Sequence, residues 1–141
     1  MPPTQFDHER LRAYQEALNF VAWVDPIIEK LPAKLAARDQ LDRASTSAVL
    51  NIAEGNGKRS HPDRCRFFDI ARGSALESAA CLDVLVARKK LLPGEIAEGK
   101  HILAAVVALV AGLIARFGGN PQQAQEEQAP YGSELVENEN D

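Results

Sequence analysis

Apolar residues recur every three or four positions along most of this chain, and short breaks rich in Pro, Gly and Ser interrupt them. Between Phe6 and Leu31 one stripe runs through Leu11, Tyr14, Leu18, Val21 and Ile28, and a second through Ala17, Phe20, Val24, Ile27 and Leu31. The period is helical, and two adjacent stripes make a face broader than a lone helical hairpin needs. Pro26 is expected to kink this helix or to open a new segment at Asp25, and Pro32 to end it. From Ala33 to about Glu54 a second helix carries Leu35, Leu41, Ala44, Ala48 and Ile52. The small residues Ala44, Ser45, Ser47 and Ala48 on it allow close approach of a partner. Gly55 is expected to close it as a left-handed residue just past the last turn.

Ser60 and Asp63 have the spacing of an N-cap and the third residue of a helix, and Pro62 suits a first turn, where its missing N–H is not needed. The third helix then buries Phe68, Ala71, Ala75, Ser78, Leu82 and Leu85, and ends near Lys89 and Lys90, cations suited to that end of the helix dipole. After the turn LLPGE, a fourth helix is expected from about Glu95 to Phe117. Its run ILAAVVALVAGLIA is apolar on every side yet shorter than the ~20 residues a membrane span requires, so it must bury more than one face within protein. Four helices with short connections predict an all-α, antiparallel up-down four-helix bundle over residues 1–119. The surplus apolar faces of the first and fourth helices predict a homo-oligomer. Residues 120–141 are polar, acidic and without period, and read as a disordered tail.

Composition sharpens this picture in three places. Hydrophobic residues make up 45% of the chain but aromatics only 6%, which favours closely packed helices over a β-sandwich. The net charge of −4 hides an asymmetry: residues 120–141 hold six acids and no Lys or Arg, so the body before them is +2. Cys65 and Cys81 fall on the same expected helix, roughly 24 Å apart along its axis, too far for a disulfide. With no His at ligand spacing they are not a zinc site, and they read as reduced, buried thiols. The polar, charged N-terminal residues do not read as a signal peptide, and reduced thiols make a cytoplasmic chain with no membrane partner the expectation.

The candidate chemistry gathers in NIAEGNGKRSHPDRCR, residues 51–66. A phosphate-binding loop would need different glycine spacing and a preceding strand, and both are lacking. Lys58, Arg59, Arg64 and Arg66, with His61 among them, cluster where a helix begins, and they are the candidate nucleic-acid contacts. The plainer reading is a solvated rim, offset by Glu54, Asp63 and Asp69. If the second and third helices fold about the turn near Lys58, positions whose numbers sum to about 120 lie level. That sets Arg43 opposite Glu77 and Asn51 opposite Asp69. These residues are expected to supply a structural ion pair that holds helix register, and Glu77→Ala to destabilise the fold by orphaning Arg43. His8, His61 and His101 lack metal spacing, and Ser45, Ser47, Ser60 and Ser74 have no His–Asp partners. No catalytic residue, metal or cofactor is expected, and the chain does not read as an enzyme.

Three pieces, QLDRASTSAVLNIAEGNGKRS, DRCRFFDIARGSALES and the hydrophobic fourth helix, together resemble the four-helix-bundle family of 23S rRNA intervening-sequence proteins. They are similar also to the accessory variability determinant proteins of diversity-generating retroelements. The resemblance covers nearly all of residues 5–117. It implies an antiparallel bundle that assembles as a homopentamer, a subunit number the periodicity does not supply. The retroelement proteins are strongly basic and bind nucleic acid, whereas this body is nearly neutral and is followed by an acidic segment. No catalytic residues are carried over. The function expected is a non-enzymatic oligomeric scaffold or adaptor that binds RNA, DNA or a nucleic-acid-associated protein through a basic rim. The alternative is a purely protein-binding or structural homo-oligomer. A third reading is a small-molecule or enzymatic role in a cleft between subunits, which a pocket gathering Glu54, Asp69 and Arg72 from different chains would support.

Overall fold

Four helices and one short turn account for the fold of residues 5–118, the part described by the computed structural model. A 3-10 turn at Asp7–Arg10 precedes α1 (Arg12–Lys30), α2 (Ala36–Gly57), α3 (His61–Ala87) and α4 (Pro93–Phe117). Each helix packs on its neighbours in sequence and α4 closes back on α1, so the bundle is antiparallel and up-down as expected. The expected acidic tail, residues 120–141, lies outside the described residues.

The first expected helix is divided. Leu11 is extended and separates the 3-10 turn from α1. Glu9 explains the break: its carboxylate accepts the backbone N–H groups of Gln5 and Phe6 at 3.2 and 3.1 Å, while the Gln15 amide donates to the Glu9 carbonyl at 2.9 Å. These bonds stabilise a separate turn. Pro26 neither ends α1 nor starts a segment at Asp25; helix runs through it. Of the two apolar stripes, the inner face takes Ala13, Ala17, Phe20, Val24 and Ile28, and Leu18 is left 43% exposed. Pro32 does stop the helix. Lacking an N–H, it cannot donate to the Ile28 carbonyl four residues back. That carbonyl accepts from the Leu31 N–H at 3.1 Å and from Arg38 of α2, Nε to oxygen 2.8 Å, which ties the start of α2 to the end of α1.

Gly55 does not have the expected role. It keeps helical backbone inside α2, which continues to Gly57. Its lack of a side chain serves packing: a Cβ there would stand 2.8 Å from Phe68 Cε1 and 3.2 Å from the Arg64 carbonyl oxygen. The left-handed cap is found at Lys89, φ 62°, at the end of α3. The N–H of Lys90 donates to the Leu85 carbonyl and that of Lys89 to the Val86 carbonyl, both at 2.9 Å, the bonding pattern of a Schellman motif.

Within α3 the sequence pattern is followed closely. The Ser60 hydroxyl accepts the Asp63 N–H at 3.1 Å. Phe68, Ala71, Ala75, Ser78, Leu82 and Leu85 are all buried. Small residues are buried on both helices of the α2–α3 pair: Ala44, Ser45 and Ala48 on α2, and Ala71, Ser74, Ala75 and Ser78 on α3. α4 departs from expectation in length. It has 25 residues, and by length and composition it is the one helix among those described that could cross a membrane. It also buries one face, Ile96, Gly99, Leu103, Val106 and Val110, and not two. On its outer side Ala104, Ala108, Ala111, Gly112 and Ala115 are exposed, with no charge between His101 and Arg116.

Candidate functional site

The up-down topology brings the end of α2, the start of α3 and the end of α4 to one end of the bundle, where the basic cluster lies. Two phenyl rings organise it. Lys58 and Arg66 each place their cationic group 4.8 Å from the centre of the Phe67 ring. Arg64 and Arg116 stand 4.8 and 5.2 Å from the centre of the Phe117 ring. Such contacts hold a cation in place without neutralising it, because the ring supplies a quadrupole and not a charge. Phe117 is fixed in turn by His61, edge-on at 5.1 Å, and by the buried Phe68 at 6.2 Å.

The acids offset the rim only in part. Lys58 lies 3.7 Å from Glu54, and Arg66 3.8 Å from Asp63, both long, exposed pairs of the kind that contributes little. Arg59 is exposed and forms no ion pair with a described residue. Asp7 is also at this end, where it accepts a hydrogen bond from the Asn56 amide at 2.9 Å. Arg64 is half-buried, and its Nε is shut off from solvent with no hydrogen-bond partner. Arg64 is therefore as much a packing residue as a charge, and the exposed cations of the rim are Arg59, Arg66 and Arg116. One turn further along α3, Asp69 is accessible to solvent yet partly dehydrated by its neighbours, which pushes its pKa up, while Arg72 pulls it down.

Sequence reasoning did not find Phe67, Phe117 and Arg116. The signal was present but non-local. In the pair Phe67–Phe68 only Phe68 falls on the buried stripe, so Phe67 must point away from it. An up-down bundle also sets the end of α4 beside the start of α3.

The expected register pair is a different matter. Arg43 pairs with Asp39 on its own helix, Nε to Oδ2 3.0 Å, and its side chain is 78% exposed. Glu77 is exposed on α3 and forms no ion pair with a described residue. The Arg43–Glu77 bridge is therefore absent, and the destabilisation expected of Glu77→Ala falls with it. The level rule itself was sound, but level is not facing: positions 43 and 77 are at one height on outward faces. The polar link that does cross the seam is Ser47 Oγ to Ser74 Oγ, 2.8 Å. Asn51 belongs to it, since its amide donates to the Ser47 carbonyl at 2.9 Å and to the Ser47 hydroxyl at 3.0 Å, and not to Asp69. Cys81 is buried, and burial, aided by Glu77, pushes its thiol pKa up and leaves it a poor nucleophile.

One concavity lies away from the rim, a groove of about 410 Å³ between α3 and α4. Leu76, Leu103, Val107 and Ala108 line it, with Arg72 and Lys100 among the lining residues. Arg72 is thus on this groove; Glu54 is not, as it pairs with Lys58 at the rim.

Comparison with known proteins follows the same lines. A family model described as 23S rRNA-intervening sequence protein matches residues 9–112. The solved crystal structure of a protein of unknown function from the S23 ribosomal protein family of Bacteroides thetaiotaomicron VPI-5482 is similar, with a TM-score of 0.68 and 20% identity. The likeness covers 72% of this chain and 97% of that one, and at such identity it shows a common fold. No curated protein matches the chain.

Proposed function

From the premise that the chain belongs to the 23S rRNA-intervening sequence protein family, we propose a non-enzymatic scaffold that assembles with copies of itself and binds a nucleic-acid strand at its basic bundle end. The observation that carries this reading is the pairing of cations with aromatic rings: Lys58 and Arg66 on Phe67, Arg64 and Arg116 on Phe117, with Arg59 beside them free of any described ion pair. Surfaces that bind single strands combine a positive track for phosphates with stacking groups for bases. Repetition of the rim around an assembly would convert weak single contacts into avidity. Self-assembly draws support from α4, whose outer face of Ala104, Ala108, Ala111, Gly112 and Ala115 carries no charge. The adjoining apolar groove contains Leu76, itself 46% exposed. Five copies is the number the family resemblance implies.

The test is a titration of labelled single-stranded RNA and duplex DNA with the full chain at low and physiological salt. The control carries Arg59→Ala and Arg66→Ala, two exposed positions that leave the Phe117 cluster intact. Binding that weakens steeply with salt and is lost in the control is the expected result. No binding at low salt overturns it and leaves the second reading, a purely structural or protein-binding homo-oligomer, which the uncharged outer face of α4 favours.

A further inference from the structure

We infer that the strand taken by the rim is single, and that it leaves the rim along the outer face of the α2–α3 seam with its bases lying on Phe67, Ile70 and Leu50. The inference rests on the nucleic-acid reading above and adds to it the kind of strand and its path. Two contacts fix which sides of α2 and α3 meet there. At the rim Lys58 stands 4.8 Å from the centre of the Phe67 ring, and two turns of α3 further on the Ser47 and Ser74 hydroxyls meet at 2.8 Å. Between these points the stripe on α2 is Ser47, Asn51, Glu54 and Lys58, spaced i, i+4, i+7 and i+11. The stripe on α3 is Phe67, Ile70 and Ser74, spaced i, i+3 and i+7. Ile70 is 44% exposed. Leu50, beside the α2 stripe and one turn from both Ser47 and Glu54, is 59% exposed. Phe67 is half-buried, and none of the three belongs to the hydrophobic core. Apolar side chains thus continue from the cationic end onto the open face of the seam.

Charge decides what fits this face. At its rim edge stand Lys58 and Arg66, over the Phe67 ring and held only by long, exposed pairings, with Arg59 beside them. Glu54 is the acid of the two stripes, and it pairs with Lys58 at 3.7 Å. Asp69 lies off them, one turn from Arg72, which lines the groove toward α4. One turn beyond Ser74 stands Glu77, exposed and without an ion pair to a described residue, and there the surface that tolerates phosphate ends. Phe67 to Ser74 is roughly 10 Å along the helix, the length of about three nucleotides at roughly 3.4 Å each. An unpaired base has an apolar face with a phosphate at its edge, which matches apolar side chains bordered by cations. The Arg66 side chain is exposed, so the outer side of its guanidinium is open to a base as well. In a duplex the base faces are stacked on one another, and Phe67, Ile70 and Leu50 have nothing to bind.

The experiment titrates the full chain into a labelled RNA oligonucleotide, alone and annealed to its complement, over a range of salt. One variant is Phe67→Leu. The other combines Leu50→Gln and Ile70→Gln, both at exposed positions and without change of charge, so that the result does not hang on repacking around Phe67. Circular dichroism and light scattering follow helical content and assembly mass. Wild type is expected to bind the single strand more tightly than the duplex. Phe67→Leu should weaken single-strand binding about 5-fold or more, and the double variant should weaken it in the same direction. Duplex binding and the salt dependence should stay as they are, because no phosphate contact is removed. Equal affinity of wild type for the two forms, or variants that weaken both alike or neither, overturns the inference and leaves the proposed function standing. No binding of either form overturns both. A fall in assembly mass in the double variant assigns Leu50 and Ile70 to contact between copies and overturns the inference.

Discussion

Single residues set how closely these helices approach. Among the described residues, Gly55 and Gly99 are glycines where an added methyl group has no room: the first meets the Phe68 ring, the second the six-membered ring of Trp23. Gly73 lies in the middle of α3 with open space where its Cβ would be. Alanine should therefore act in opposite directions. Gly55→Ala and Gly99→Ala are each expected to lower stability by about 1–3 kcal/mol through overpacking. Gly73→Ala is expected to raise it by about 0.5–1 kcal/mol by restricting the unfolded chain. Urea denaturation at one protein concentration checks all three. Lys89 offers a converse case. It is a non-glycine residue at φ 62°, so Lys89→Gly is expected to stabilise by about 0.5–1 kcal/mol by the same measurement.

Between elements, the α2–α3 seam combines small residues with a polar crossing. The Ser47–Ser74 hydrogen bond is short, and Asn51 secures Ser47 from the same helix. Replacing one serine by alanine leaves the other hydroxyl without its partner across the seam, at about 1–2 kcal/mol. The double variant should cost less than the sum of the two, because it leaves no orphan. A double-mutant cycle in urea reads this directly; additive losses would mean that the serines act only as small residues. The seam was legible in the sequence through its run of Ala and Ser. The identity of the crossing pair was not, because height along a helix follows from residue number whereas facing depends on the rotation of each helix about its axis. The same gap explains Arg43, which was placed at the right level and on the wrong side.

At the scale of the whole molecule, one chain leaves an apolar, uncharged surface along the outer side of α4, beside a largely apolar groove that Arg72 and Lys100 also line. Leu76→Glu places a charge in that groove at a position already 46% exposed, so the fold of the single chain should survive. The expected outcome is a fall in assembly mass by light scattering at fixed concentration, with helical content unchanged. Unchanged mass would move the self-contact to another face.

Local sequence determined the number, order and direction of the helices, the Ser60 cap, the α3 stripe and the clustering of cations near residue 60, because each depends on residues within a turn or two of one another. Tertiary structure decided what those cations rest on. Phe117 comes under the Arg64 guanidinium only when the end of α4 returns to the start of α3, across about 50 residues of chain. It also decided that Gly55 makes room for a ring and does not end a helix, since the need for space is created by a neighbour, Phe68, that no local pattern around residue 55 reveals. Caps and stripes are properties of a helix by itself; pairing, stacking and clearance are properties of two helices at a particular rotation, and only the packed bundle sets that rotation.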